Sequence, residues 1–171
     1  MKVYVMRHGT TVWNEKGIFQ GHKNNRLSLA GKLETEQVSL KYKDIKFDII
    51  FSSPLMRTVQ TANIMNKYHK VKIIKDNRLI EIDKGIFAGR RKNSLTQEEK
   101  ILKEKRDVST GMESKEHAMK RISSFIEYLK ETKLQIVLII THKWIAEFIE
   151  ECLLKKNTSS FKNAEIRCFD L

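Results

Sequence analysis

Four short stretches of the chain gather side chains able to do chemistry: Arg7-His8-Gly9, Ser52-Ser53 with Arg57 four residues on, Arg78 with Glu81, and His142. An imidazole can act as nucleophile or proton carrier, a carboxylate as general acid and base, and guanidinium groups as charge-assisted clamps on an anion. Taken singly, each also has a quieter reading. A histidine near a strand end is commonly a hydrogen-bonded structural residue, Arg57 suits a surface ion pair, and Glu81 suits a solvated loop. Two histidines, two or three arginines and a glutamate facing one crevice are a different matter, so their placement in the fold decides.

The elements that position them follow from periodicity. Strand-like runs at Lys2–Met6, Asp48–Ser52, Val71–Lys75, Ile136–Thr141 and Glu165–Asp170 alternate with helical patterns, which predicts an α/β architecture. Each reactive stretch comes just after one of the first four strands, where open α/β sheets gather their ligands. Ala118, Ile122, Phe125, Ile126 and Leu129 form one helical stripe, and Ile145, Phe148, Ile149, Cys152 and Leu153 predict a helix over Lys143–Leu154. Gly31, Thr35, Val38 and Tyr42 share a face behind a Ser28 N-cap, with small residues that allow close approach to the sheet. Ser53-Pro54 reads as an N-cap followed by proline at the first helical position. Ser94-x-x-Gln97 reads as a capping box opening a charged helix to about Arg106, poor in core residues and suited to a flap over the site.

The chain has 171 residues, 40% hydrophobic and 32% charged, with no repeat, low-complexity tract or linker, and a single proline at Pro54, so one domain over 1–171 is expected. Net charge is +12, but 24 of the 33 cations are lysines scattered among acids rather than a basic stripe interleaved with aromatics, which argues against nucleic acid as partner. Two cysteines, Cys152 and Cys168, make neither a disulfide framework nor a CxxC pair. The apolar start, Met1 to Met6, is too short for a signal peptide, and the longest aliphatic run, Ile136 to Ile140, is far too short to span a membrane. A soluble cytoplasmic protein without a membrane partner is expected, its oligomeric state open. With neither HExxH nor paired acidic motifs, and arginines that would repel a cation, no metal and no cofactor are expected.

Arg7-His8-Gly9-Thr10-Thr11-x-x-Asn14 resembles the RHGxTxxN signature of the histidine phosphatase superfamily, the group that includes the phosphoglycerate mutases. Further matches follow in order: Leu27-Ser28-x-Ala30-Gly31, Ser52-Ser53-Pro54-Leu55-x-Arg57-Thr58-x-Gln60-Thr61-Ala62, and Leu79-x-Glu81-Ile82-Asp83-x-Gly85-x-Phe87-x-Gly89. Glu113-Ser114 with Arg121 and the run Val137–His142 complete a resemblance that spans nearly the whole chain.

The resemblance implies a three-layer fold, a mostly parallel sheet flanked by helices, and a metal-independent phosphatase acting on a small phosphorylated substrate. His8 would be the nucleophile that forms a phosphohistidine. Arg7, Arg57 and His142 would clamp the phosphoryl oxygens with Asn14 donating from the side, and Glu81 would protonate the leaving alcohol. Gly9 would leave room for the phosphoryl group. Gln20 and Gly21 stand at the start of an entrance loop running to Arg26, in which Asn24 and Arg26 replace the family's usual Asp and Pro. The largest departure is Lys143-Trp144, where the family usually has two glycines after its second histidine. Lys143 either joins the phosphate clamp or points away with Trp144. A mutase must shield its phosphohistidine from water, and only about 30 residues separate Gly85 from Ser114, which leaves little for a lid and favours the phosphatase. A disabled relative that only binds phosphorylated ligands is the remaining alternative.

Overall fold

In the computed structural model, which describes residues 1–155 and 159–171, five strands form one sheet in the order β3-β2-β4-β1-β5. β1 (Lys2–Arg7), β2 (Ile49–Ser52), β3 (Lys72–Lys75) and β4 (Ile136–Thr141) are parallel, and β5 (Ile166–Asp170) pairs antiparallel with β1. β4, at the centre, is aliphatic on both faces because helices cover both. Val137, Leu138, Ile139 and Ile140 are each fully buried, which contributes about 1.5–3 kcal/mol apiece by area.

α5 (Lys115–Lys130) and α6 (Lys143–Leu154) cover one face, where Val3, Val5, Phe51 and Ile139 meet Ile122, Phe125, Ile145 and Ile149. α2 (Leu29–Lys41) and α3 (Met56–Met65) cover the other, with Met6, Ile50, Leu138 and Ile140 against Ala62 and Met65. Three layers result, as expected. α2 begins at its Ser28 cap, whose hydroxyl accepts the Gly31 N–H at 3.1 Å. The small residues of α2 serve an approach to the loop after β1 rather than to the sheet itself: a Cβ on Gly31 would lie 1.9 Å from the Thr10 carbonyl oxygen.

Two helix starts differ from expectation. α3 begins at Met56 with Leu55 as N-cap, not at Ser53-Pro54. The Ser53 hydroxyl is engaged by His142 at 2.8 Å, and the capping acceptor comes instead from a distant loop, Met56 N–H donating to Asn24 Oδ1 at 2.7 Å. α4 (Gln97–Lys105) opens with a capping box formed by Thr96 and Glu99, two residues beyond Ser94 and Gln97. Ser94 lies in the preceding 3-10 turn, its hydroxyl donating to the Arg91 carbonyl.

The segment between Gly85 and Ser114 carries a small core of its own, Phe87, Leu95 and Met112, packed with Phe19, Leu102 and Trp144. Trp144 also touches the main core, so it joins this cover to the body of the fold. Among the described residues no helix is long and apolar enough to cross a membrane.

Candidate active site

Because β1 and β4 are parallel neighbours with Arg7 opposite Thr141, the next residues, His8 and His142, emerge side by side. Their ring centroids are 5.2 Å apart, edge to face. Ser53 leaves β2 on the other side of β4, its N–H donating to the Ile140 carbonyl at 3.0 Å. A cavity of about 410 Å³ opens over these strand ends, of a size suited to a small ligand.

His8 is buried, with Nδ1 2.7 Å from the Gly9 carbonyl oxygen. A carbonyl only accepts, so Nδ1 holds the proton and Nε2 keeps its lone pair. Burial, reinforced by the Arg57 and Arg7 guanidinium groups, holds the pKa well below the usual 6.5 against the opposing pull of that carbonyl. His8 is therefore a neutral imidazole with a defined tautomer, the form a nucleophile requires.

Arg57 is 1% exposed and its fork is fixed on three sides. Nε donates to His142 Nδ1 at 3.2 Å, Nη1 to the Lys23 carbonyl at 3.0 Å, and Nη2 to the Gly21 carbonyl at 2.8 Å. Two of its five N–H groups remain for a ligand. Burial, with Arg7 adding to it and Glu81 opposing it, lowers its pKa to about 10, which still leaves it charged at neutral pH. Arg7 donates through Nη1 to the Phe161 carbonyl at 2.8 Å, whereas its buried Nε has no partner. Burial lowers its pKa as well, offset by Glu81 and Glu147. Glu81 is buried at the cavity wall, one carboxylate oxygen accepting the Ile82 N–H at 2.9 Å, and His22 Nε2 donates to its carbonyl at 2.7 Å.

His142 is placed differently from the direct clamp that the family resemblance implied. Its Nδ1 accepts from Arg57, so Nε2 bears the proton and donates to Ser53 Oγ. Both nitrogens are thus engaged inside the protein, and the ring orients Arg57 from behind. Burial first, then the charge of Arg57, pushes its pKa well below 6.5.

Asn14, Gln20, Gly21 and Lys143 all line the cavity. Asn14 Oδ1 accepts from the Thr11 N–H and hydroxyl and from Asn163, which closes the capping box of α1 (Val12–Glu15) and leaves its amide hydrogens for a ligand. Gln20 ties the entrance loop together, donating to Thr11 Oγ1 and accepting from Asn25. Gly21 has φ +52°, and a Cβ there would collide with Lys84. Lys143 and Trp144 both face the cavity, so neither points away.

Gly9 has a packing reason that the sequence did not reveal. A Cβ on it would meet Thr35 Oγ1 at 2.4 Å and the Gly31 carbonyl oxygen at 2.8 Å, so the packing against α2 by itself excludes a side chain. Arg78 does not join the site. It forms a bidentate pair with Asp76 and lies over the Phe125 and Tyr128 rings of α5.

Sequence reasoning missed Lys84, buried at the cavity wall, and the segment from Phe161 to Asn163, whose carbonyl and amide hold Arg7 and the His8 backbone. Neither group carries a motif, although a lysine between Asp83 and the positive-φ Gly85, within the Leu79–Gly89 stretch, is a signal in retrospect. Among the described residues no three His, Cys, Asp or Glu side chains converge as metal ligands would.

The arrangement matches known proteins along the whole chain. A protein of Hydrogenobacter thermophilus provisionally named phosphoserine phosphatase 2 is 31% identical over 147 residues, covering 82% of this chain and 72% of that relative. A protein of Escherichia coli provisionally named phosphoglycerate mutase GpmB is 37% identical over 99 residues, covering 58% of this chain but less than half, 46%, of its own length. The alpha-ribazole phosphatase of Shigella flexneri shares the fold, with a TM-score of 0.90 at 21% identity over 100% of this chain and 91% of that one. The sequence model of the histidine phosphatase superfamily (branch 1) matches residues 3–169, and this chain belongs to that family.

Proposed function

We propose that the protein is a phosphatase that hydrolyses small phosphomonoesters without a metal, through a phosphohistidine on His8. The observation that carries this reading is the state of His8: a buried neutral imidazole whose Nδ1 proton is held by the Gly9 carbonyl, beside two arginines with unengaged N–H groups. His8 Nε2 attacks phosphorus as the ester P–O bond breaks, and Glu81 protonates the departing alkoxide. Water then attacks the phosphohistidine, giving its proton to Glu81 as the P–N bond breaks and His8 is released. Arg7 and Arg57 stabilise the charge on the nonbridging oxygens, donors of a kind typically worth about 3–4 kcal/mol each in such sites. His142 and Ser53 hold Arg57 in place, Asn14 offers its amide, and Lys143 adds positive charge at the rim. The relatives' names support phosphoryl chemistry on small molecules. The free thiols of Cys152 and Cys168 support a reducing, cytoplasmic location.

The test is phosphate release from a panel of small phosphomonoesters in EDTA, comparing wild type with His8→Ala. Turnover by wild type alone is the expected result, with an acid-labile, base-stable phosphoryl label on wild type after rapid quenching. Turnover that survives in His8→Ala, or that EDTA abolishes, refutes the mechanism.

A further inference from the structure

Lys84 has no role in the mechanism above, yet it is one of the least exposed charged groups of the protein. It is 7% exposed and its ammonium makes no hydrogen bond. Instead the nitrogen sits 3.4 Å from the centroid of the Trp144 ring, a face that attracts a cation but leaves its three N–H donors free. Gly21 packs directly against its stem, so the side chain is held rather than trailing. A buried, unpartnered ammonium is costly for a folded protein, and its position at a cavity wall points to a ligand that completes it.

The surroundings say what that ligand is. Trp144 and Phe19 both belong to the small core of the cover, and Lys103 of α4 lies over Phe19, its nitrogen 5.1 Å from the ring centroid. Lys84 and Lys103 therefore stand against the aromatic rings of the cover, whereas Arg7 and Arg57 belong to the strand β1 and the helix α3. Lys92, Lys100 and Lys143 line the same space. In all, seven cationic side chains and two carboxylates, Glu81 and Glu104, face the cavity. One phosphate dianion beside His8 leaves that excess largely uncancelled, whereas a second dianion brings it close to balance.

We propose that the cavity carries a second anion subsite, with Lys84 as its wall and Lys103 as its roof, which takes a phosphate group at the end of the substrate remote from the one transferred. The substrate class is thus a small bisphosphorylated molecule. This rests on the phosphatase reading for the phosphate beside His8, but the subsite can be tested by binding alone. Burial, with Lys103, Arg106 and Lys143 adding to it and Glu81 opposing it, lowers the Lys84 pKa to about 8. The ammonium is present at pH 7, and the preference for a second anion fades as pH rises past about 8, when binding must recruit a proton.

The experiment is titration calorimetry of the whole chain at pH 7 with three matched, non-hydrolysable probes: propylphosphonate, 3-phosphonopropanoate and propane-1,3-bisphosphonate. The bisphosphonate binds about 10- to 100-fold more tightly than the monophosphonate, and the carboxylate probe falls between them. Lys84→Met removes most of that preference and melts no lower than wild type, because it deletes an unpartnered buried charge. A lysine with a merely structural role would give the opposite sign in the melt. Lys103→Met, on the exposed helix, reduces the same preference severalfold. Equal affinities for the mono- and bisphosphonates overturn the subsite, as does a preference that survives Lys84→Met or a carboxylate probe that binds as well as the bisphosphonate. Hydrolysis of p-nitrophenyl phosphate by wild type is read separately: its absence with the bisphosphonate preference intact sinks the phosphatase reading and leaves the subsite standing.

Discussion

Replacing Gly9 with alanine probes whether the contact between the end of β1 and α2 fixes the imidazole of His8. The new Cβ would lie 2.4 Å from Thr35 Oγ1 and 2.8 Å from the Gly31 carbonyl oxygen, well inside the roughly 3.5 Å optimum of a heavy-atom contact, so the backbone must retreat by about 1 Å. Overpacking of this kind costs about 1–3 kcal/mol, which lowers the melting temperature by roughly 2–12 °C for a chain of this size. The Gly9 carbonyl holds the His8 Nδ1 proton and the Gly9 N–H donates to Thr61 Oγ1, so the imidazole moves with the retreat. A misplacement near 1 Å costs about 10²-fold in rate, and kcat should fall by that order with KM little changed. Thr35→Ala removes the closer contact but not the second, so the double variant recovers part of both losses, with a coupling of about 0.5–2 kcal/mol in a double-mutant cycle. Steady-state hydrolysis of p-nitrophenyl phosphate and urea unfolding read the two quantities. A Gly9→Ala enzyme with wild-type kcat and stability, or a double variant whose effects simply add, refutes the reasoning.

Stability should depend on pH through the two buried imidazoles. His8 and His142 have folded pKa values below 6.5, so below that pH the unfolded chain takes up two protons that the folded one refuses. Their contribution is complete above about pH 6.5 and is lost, at up to about 2.7 kcal/mol per pH unit, as pH falls toward the folded pKa values. Urea unfolding between pH 5 and 6 should show a slope shallower by about one proton in His8→Ala than in wild type; equal slopes would count against the burial argument. Asn24→Ala removes the acceptor that caps α3 from the entrance loop and should destabilise the protein by about 0.5–2 kcal/mol, whereas Ser94→Ala, no longer a cap, should change stability by less than about 0.5 kcal/mol, both read from urea midpoints.

Strands were legible because aliphatic runs such as Ile136–Thr141 have few other uses, and α5 because its stripe from Ala118 to Leu129 repeats cleanly. The strand ends then brought His8, Arg57 and Glu81 to one cavity, with His142 beside His8 but buried behind Arg57 rather than lining it. What stayed hidden depends on contacts between distant residues. Nothing near Ser53 signals that its hydroxyl will go to a histidine 89 residues on, so its cap reading was locally sound and globally wrong. Arg78 followed a strand like the residues that line the cavity, but Asp76 two positions earlier captured it. The burial of Lys84 is created by Gly21 on one side and Trp144 on the other, and no window of sequence contains all three.

The carbonyl cradle of Arg57 has a consequence for anyone who would redesign selectivity. Gly21 and Lys23 present main-chain oxygens to the guanidinium, and Asn24, the next residue, caps the helix that carries it. The mouth of the cavity and the buried guanidinium of Arg57 are therefore one mechanical unit. Side chains on this loop can be exchanged, but a graft that alters its length also unseats the arginine. Libraries that vary identity at fixed length should yield active catalysts far more often than loop transplants, and specificity in such variants should surface in turnover rather than in affinity alone.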